Sequence, residues 1–542
     1  MIRRELMGSS DKVSAVSADP AAPFDGGQPD DFLRCVDPSS SRMIARMAIA
    51  TPLKVEEAAR DARRAFAAWR RLSVQERCDA LIKAGDILLE HRKELLDLLV
   101  AETGKAIVDA QAEFLNLFET LRYYTSNAPE FLADARLSLH LLKNKRARVE
   151  YMPLGVVVNI SPWNFPLDLS LTPAIPALLA GNAVLIKPSE HTPLTVFRAV
   201  ELMNQSGLPA GILQTVMGRG DVGALLVDQA DAVTFTGSVS TGRKVAVRAA
   251  ERLIPCTLEL GGKDPAIVLE DADIERAARG VVWGAFFNSG QVCMSVERVF
   301  VHEAVYDAFV ERVVALTAEL RQGVPHDYNI DVGAMIDPGQ FEIIEAQLRE
   351  ATAQGARVLI GGERVQLESQ LNHHPGHTPM IGDFFAPTVV VDVDPAMKLM
   401  REETFGPVLP IMKVRSAFEA VKLANDSEFG LNASVWGRDI KRARKIASQV
   451  EAGQVCINDV IVSYAAIEAP YGGIKNSGLG RRKGSAEIYK FVESKTVLED
   501  IIGLKKEPYW YPYHESLGKG VDKVIGLLYQ RGVAKRIKSF FR

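Results

Sequence analysis

From Gly155 onward the chain alternates short apolar runs with stretches of helical periodicity: GVVVNI, AVLIK, ILQTVM, AVTF and CTLELGG, in that order. Strands that are apolar along their whole length, not only at every second residue, must be covered on both faces. The helices between them supply that cover. The pattern therefore predicts a parallel sheet built from βαβ units. A second alternation runs from Arg298 to Ile457 through RVFV, RVLIGG, PTVVVDV, VLPIMKV, ASVWG and QVCIN, with helical stretches such as Ala417 to Asn425 between them. Two α/β domains are the economical reading, since 542 residues exceed what one hydrophobic core accommodates.

The flanks read differently. Residues 1–30 are rich in Ser, Asp, Ala, Pro and Gly without periodicity, so burial cannot repay their ordering entropy and a disordered tail is expected. The start, MIRRELMGSSDKV, has early arginines but no apolar run after them, which predicts neither a secretory signal nor a membrane anchor. Two amphipathic helices follow, around Val55 to Trp69 and after the capping box Ser73-x-x-Glu76. Leu169 to Ile186 is strongly apolar but interrupted by Thr172, Pro173, Pro176 and Asn182, so it reads as a buried helix followed by a strand, not a membrane span. Ser138 to Tyr151 and Tyr489 to Leu498 each look like a lone strand outside both alternations. The five cysteines are scattered with no CxxC, which suggests a reducing cytoplasm. A net charge of -4 over this length offers nucleic acid nothing to bind.

Chemistry concentrates at three places. Cys293, in FFNSGQVCMSVERVFV, follows Gly290 and small residues that let backbone approach a ligand closely. Glu259, in CTLELGGKDP, ends an apolar strand directly before Gly261 and Gly262, where α/β sheets place ligand-facing groups. Asn164, in NISPWNFPL, follows a strand, and Pro162 and Pro166 stiffen the turn that presents its amide as an oxyanion donor. Taken singly, each has a bland alternative: a small buried hydrophobe, an ion-paired loop carboxylate, a turn-forming asparagine. A cluster of His373, His374 and His377 lacks supporting carboxylates or cysteines and reads as a surface loop, so no metal site is expected.

Together, SPWNFP, IKPSE, FTGS, LELGGK, GQVC, EETFGP and PYGGIKNSG occur in the order that resembles the aldehyde dehydrogenase superfamily, over roughly residues 45 to 498. The resemblance implies an α/β fold with two Rossmann-like parallel-sheet domains and a small β extension for oligomerisation. It divides the chain into a tail (1–30), a dinucleotide-binding domain (31–137 and 152–259), a catalytic domain carrying the cysteine (260–473), the oligomerisation extension (138–151 and 474–500) and a C-terminal extension (501–542). It implies that Cys293 attacks an aldehyde carbonyl, that Asn164 and the Cys293 N–H receive the oxyanion, and that Glu259 activates the water that hydrolyses the thioester. Lys263 would orient nearby polar groups.

For the cofactor, the resemblance points to Trp163, Lys187, Ser189, Glu190, Ser238, Glu403 and Phe405. Lys187 and Glu190 would hold the adenosine ribose, Ser238 the pyrophosphate, and Glu403 and Phe405 the nicotinamide end. The Glu190 carboxylate favours NAD over NADP by repelling a 2′-phosphate. Ser189 and Lys187 can hold that phosphate when Glu190 turns away, so NADP stays open. Gly218, Gly220 and Gly223 fit GxGxxG, but the resemblance implies that this turn lies toward the adenine end and does not cradle the pyrophosphate.

The apolar loop VIVSYAAI, Val460 to Ile467, suits a hydrophobic aldehyde, with a semialdehyde of the succinate type as the alternative. Glu259 argues against acyl transfer to coenzyme A. An intact Cys293, Asn164, Glu259 and Glu403 argue against a silent scaffold. A homodimer or homotetramer is expected from the resemblance. From Lys505 to Arg542 nine Lys or Arg face three Asp or Glu, and Val521, Val524, Leu528, Ile537 and Phe540 recur near helical spacing. That pattern predicts peripheral contact with an anionic membrane surface, or packing on the protein itself.

Overall fold

The computed structural model describes residues 31–365 and 382–533, together with the backbone of Val16–Ser17. The chain divides into a large unit, Met1–Ala133 with Met152–Glu493, and a small one, Asp134–Tyr151 with Ser494–Arg542.

The large unit contains both expected sheets. The first has six strands in the order Gly478–Leu479, Cys256–Glu259, Ala232–Thr236, Val156–Ile160, Ala183–Lys187 and Leu213–Thr215, all parallel except the first. Every residue of Val156–Ile160, Ala183–Lys187 and Ala232–Thr236 is buried, which is why these strands read as unbroken apolar runs. The second sheet has seven strands: Arg357–Ile360, Thr388–Val391, Val408–Val414, Val296–His302, Asp264–Val268, Asn432–Trp436 and Gln454–Ile457. Here Arg357–Ile360 is the antiparallel edge.

In the first sheet the chain starts at Val156–Ile160 and then builds outward on both sides. That reversal opens a crevice at the carboxyl ends of the strands, where α/β sheets bind ligands. The register aligns those ends, pairing Ile160 with Lys187 and Phe235, and Glu259 with Thr236. The helix Pro166–Leu179 is buried at every residue and tolerates Pro173 and Pro176 because it is packed on all sides. The helices Pro52–Trp69 and Val74–Glu90 bury one face each, and the Ser73–Glu76 capping box is present.

The small unit is a three-stranded sheet, Val492–Asp500, Lys145–Pro153 and Ala135–Leu137, followed by the helix Glu515–Tyr529. Its boundaries differ from the expected 138–151 and 474–500. Residues 474–493 go with the large unit, because Leu258 and Glu259 pair with Leu479 and Gly478 and the Tyr124 hydroxyl donates to Gly484 O at 2.9 Å. The strand expected from Tyr489 begins only at Val492, after the helix Gly484–Tyr489. Of the tail expected over 1–30, Val16–Ser17 pair with Met47 and Arg46 at a sheet edge, so the tail reading does not hold at those two residues. The rest of that segment, the histidines 373, 374 and 377, and residues 534–542 lie outside the described residues.

Candidate active site

Four strands of the first sheet deliver polar side chains from their carboxyl ends. Val156–Ile160 leads into Ser161, Pro162, Trp163 and Asn164; Ala183–Lys187 ends on Lys187; Ala232–Thr236 leads to Ser238; and Cys256–Glu259 ends on Glu259. The second sheet contributes Cys293, in the turn before Val296–His302. Trp163, Asn164, Ser238, Glu259, Cys293, Glu403 and Phe405 line one cavity of about 330 Å³ with Leu169, Thr236, Leu260 and Ile343.

The Cys293 turn is held in an uncommon conformation. Asn288, Ser289 and Gly290 are consecutively left-handed, at φ 50°, 57° and 71°. Such strain persists only where the surroundings enforce it. Here Asp109 Oδ2 accepts from Asn288 N at 2.9 Å, Ser289 Oγ donates to Gly333 O at 2.9 Å, and Gln291 Oε1 accepts from Ile336 N at 2.9 Å. A side chain at Gly290 would collide with Gly406 O, so the glycine lets the EETFGP loop lie against the turn.

Asn164 is buried and donates one Nδ2 hydrogen to Gln291 O at 2.9 Å, which leaves the second for the cavity. Its own carbonyl accepts from Lys105 Nζ at 2.6 Å and from Asn288 Nδ2 at 3.1 Å. Lys105 is fully buried and pairs with Glu113 at 2.6 Å. A paired buried cation of this kind fixes the Asn164 backbone at the cost of its own desolvation.

Glu259 is 4% exposed, and neither carboxylate oxygen has a hydrogen-bond partner among the described residues. Burial raises its pKa to about 8, against the pull of Arg482 and Lys490. A buried carboxylate without partners is unusual and marks a functional candidate. The Cys293 thiol is pushed up to about 12, chiefly by burial. A hydrogen bond with the Tyr471 hydroxyl, at 3.8 Å, opposes that rise, while Asp264, Glu259 and Glu403 add to it.

Glu403 Oε1 accepts from Gly262 N at 2.9 Å, and a side chain on Gly261 would strike the same carboxylate. Burial raises Glu403 to about 8, with Glu297 adding to the rise. Phe405, at φ 52°, packs edge-on against Trp163 with ring centroids 5.3 Å apart. The loop is pinned by Glu297, which accepts from Thr404 N at 2.7 Å and Phe405 N at 2.9 Å. Lys263 is not among the residues lining the cavity: its Nζ donates to Glu297 at 2.6 Å and to Thr404 Oγ1 at 2.9 Å.

Lys187, Ser189 and Glu190 are not among the residues lining this cavity. They form their own group, with Lys187 Nζ donating to Pro188 O at 2.8 Å and pairing with Glu190 at 3.4 Å. Gly223 of the GxGxxG turn lies against the Lys187 stem. The Thr192 hydroxyl donates to Trp163 O at 3.2 Å and links that group to the cavity wall. Ser238 caps the helix Val239–Glu251, whose first N–H groups suit a phosphate. The Glu403 carboxylate as an acceptor for ribose hydroxyls, the N-terminus of the helix Val239–Glu251 and Gly261, which admits close backbone approach, make a set of groups that fits a dinucleotide.

This fold and site belong to a defined class. The chain is a member of the aldehyde dehydrogenase family, whose sequence profile matches residues 25–497, and is thus an NAD(P)-dependent oxidoreductase acting on aldehydes. Among its relatives, the 4,4'-diapolycopene aldehyde oxidase of a Methylomonas species is 39% identical over 500 residues, covering 92% of this chain and 90% of that protein. A Mycolicibacterium smegmatis protein provisionally named succinate-semialdehyde dehydrogenase [NADP(+)] is 38% identical over 460 residues, covering 84% and 87%. The structure of betaine aldehyde dehydrogenase from Staphylococcus aureus in complex with NAD+ is 30% identical, with a TM-score of 0.83, over 89% of this chain and 94% of that one.

Sequence reasoning singled out neither the buried supports Lys105, Asp109, Glu113, Gln291 and Glu297 nor Tyr471. Only the PYGG motif signalled the last of these.

Proposed function

We propose that Cys293 is the nucleophile of the aldehyde oxidation, that Asn164 Nδ2 and the Cys293 N–H receive the oxyanion, and that Glu259 is the general base of hydrolysis. One observation carries this reading: a thiol, an uncommitted amide hydrogen and an unpartnered buried carboxylate line the same cavity. Cys293 Sγ bonds to the carbonyl carbon as the thiol proton leaves, and the carbonyl electron pair moves onto oxygen, where the amide donors meet it. NAD(P)+ held in the cofactor site would supply the hydride acceptor, and loss of the hydrogen from that carbon would leave a thioester on Cys293. Glu259 then removes a proton from water, the resulting oxygen attacks the thioester carbon, and the C–S bond breaks to give the carboxylic acid.

Trp163, Ser238, Glu403 and Phe405 in the cavity, with Lys187, Ser189 and Glu190 beside it, form the cofactor site in this proposal. NAD is preferred because the Glu190 carboxylate disfavours a 2′-phosphate. NADP remains an accepted alternative, and the relatives' names span both. The domains follow the same division: residues 31–137 and 152–259 bind dinucleotide, and 260–473 carry the cysteine.

The substrate we infer is a hydrophobic aldehyde. Phe165, next to Asn164, stacks on Phe287 at 5.9 Å, and Phe287 packs on the half-exposed Trp283 at 5.1 Å. These aromatics run from the residue beside Asn164 to an exposed ring, and Phe287 and Trp283 also border a second cavity of about 420 Å³. The Methylomonas relative, named for a carotenoid aldehyde, points the same way. The semialdehyde alternative is favoured by the Mycolicibacterium relative's name. Following absorbance at 340 nm with aldehydes of graded length should show kcat/KM rising by about 3- to 10-fold per two added methylenes, since each buried methylene contributes about 0.8 kcal/mol at most. A preference for succinate semialdehyde over decanal would reverse the assignment.

We further propose that the C-terminal extension rests on an anionic membrane from the cytoplasmic side and that the protein is a dimer or tetramer. Among the described residues no helix is long and apolar enough to cross a membrane. Yet Tyr509, Trp510, Tyr511 and Tyr513 are each at least half-exposed, and Val521, Val524 and Ile525 of the helix Glu515–Tyr529 are exposed as well. Interfacial aromatics beside an amphipathic helix, with Arg531, Lys535, Arg536, Lys538 and Arg542 following in the sequence, suit a charged lipid surface. All five cysteines are unpaired, which supports a reducing compartment. Removing residues 509–542 keeps the Glu507–Lys145 ion pair. That deletion should cut sedimentation with vesicles containing 30% phosphatidylglycerol by about tenfold or more. Equal sedimentation of both forms would eliminate the membrane reading.

A further inference from the structure

The turn Pro470–Gly473 touches both reacting groups. Tyr471 Oη lies 3.8 Å from Cys293 Sγ, and a side chain on Gly472 would meet Glu259 Oε1 at 3.0 Å. Tyr471 is 2% exposed and tightly placed. Its N–H donates to Arg482 O at 2.7 Å, and the Arg482 N–H donates back at 2.6 Å. Its ring stands edge-on to Tyr464, with centroids 5.1 Å apart at 88°. Tyr464 is anchored in turn by a hydrogen bond from its hydroxyl to Asp168 at 2.6 Å and by Lys483 Nζ, 3.4 Å from its ring centroid. The Tyr471 hydroxyl is thus aimed at sulfur by packing.

We propose that Tyr471 is a further catalytic residue, its hydroxyl donating a hydrogen bond to Cys293 Sγ that stabilises the thiolate and sets the pH at which the nucleophile forms. The inference rests on Cys293 being the nucleophile. A hydrogen bond to a neutral thiol is weak, whereas one to a thiolate is charge-assisted, so the hydroxyl favours the ionised form selectively. The groups facing the sulfur otherwise oppose it: Asp264, Glu259 and Glu403 are all acidic. Those facing the Tyr471 ring are Cys293, Glu259 and Tyr464, with Arg482 adjoining through the backbone and Lys483 Nζ 5.8 Å from the ring centroid. Burial holds the tyrosine's own pKa well above its ordinary value, so it donates without losing its proton. The thiol's proton leaves to a carboxylate or to water.

The test is the pH dependence of iodoacetamide alkylation at Cys293, read by peptide mass in the full-length protein and in Tyr471→Phe. The variant's midpoint is expected to rise by about one pH unit, the size of one hydrogen bond to a charged group. Its kcat/KM at pH 7.5 should fall about tenfold, and because burial raises the thiol to about 12 the deficit should stay near that size until pH approaches that value. Tyr306→Phe, a buried tyrosine whose ring lies under Lys413 and not at the cavity, should leave the alkylation midpoint where it is. An unchanged alkylation midpoint in Tyr471→Phe overturns the proposal. Retention of NAD(P)H formation by Cys293→Ala would instead defeat the nucleophile assignment on which it rests.

Discussion

Cys293→Ala should abolish NAD(P)H formation, lowering kcat by on the order of 10⁴-fold or more, as removal of a nucleophile that acts as part of a unit does. The fold should survive. The side chain is half-buried and its recorded hydrogen bond is the long one to Tyr471, so the unfolding midpoint should move by no more than about 3 °C. Nucleotide binding should persist as well, because Ser238, Lys187 and Glu403 are held by contacts that do not involve the thiol. Spectrophotometry at 340 nm with thermal unfolding alongside checks both halves. A folded Cys293→Ala protein with normal turnover would move the nucleophile elsewhere.

The second large effect is expected at Glu259. Glu259→Gln keeps the shape of the side chain and removes its basicity, so acylation should continue while hydrolysis slows by about 10²- to 10⁴-fold. Rapid mixing should then show a burst of NAD(P)H close to one per active site, followed by a nearly flat line. The wild type should carry the same carboxylate in its pH profile. Its pKa is raised to about 8, and a general base acts in its deprotonated form, so turnover limited by hydrolysis should climb with pH through about 8 and level off above. Loss of the burst itself in Glu259→Gln would assign the residue to acylation.

How much of this was legible before the structure follows from the range of the contacts involved. The strands Val156–Ile160, Ala183–Lys187 and Ala232–Thr236 are buried on both faces, so burial wrote them into the sequence as apolar runs. The ends of Val156–Ile160 and Cys256–Glu259 are visible too and point to Asn164 and Glu259, whereas Lys187 and Ser238 follow from the family resemblance. The supports of the site carry no local pattern. Lys105 reaches the Asn164 carbonyl across 59 residues and Tyr471 reaches Cys293 across 178. No periodicity or motif spacing encodes a contact of that range. The sequence GRRKGSAE has the composition of a solvated basic loop, yet Arg482, Lys483 and Glu487 are each no more than 2% exposed, with Glu487 pairing with Arg482 and accepting from Lys483 N. The resemblance gives 474–500 to the extension, whereas residues 474–493 group with the large unit. The cavity residues were legible because their chemistry is typed. The residues that aim them were not, because a buried lysine or glutamine announces itself only through its partners.

The most direct measurement of the central claim is intact-protein and peptide mass spectrometry of Glu259→Gln after mixing with a medium-chain aldehyde and NAD+. The account predicts a single adduct per chain, equal to the aldehyde's mass less two hydrogens and confined to the peptide carrying Cys293. No adduct, or one on another residue, would contradict it.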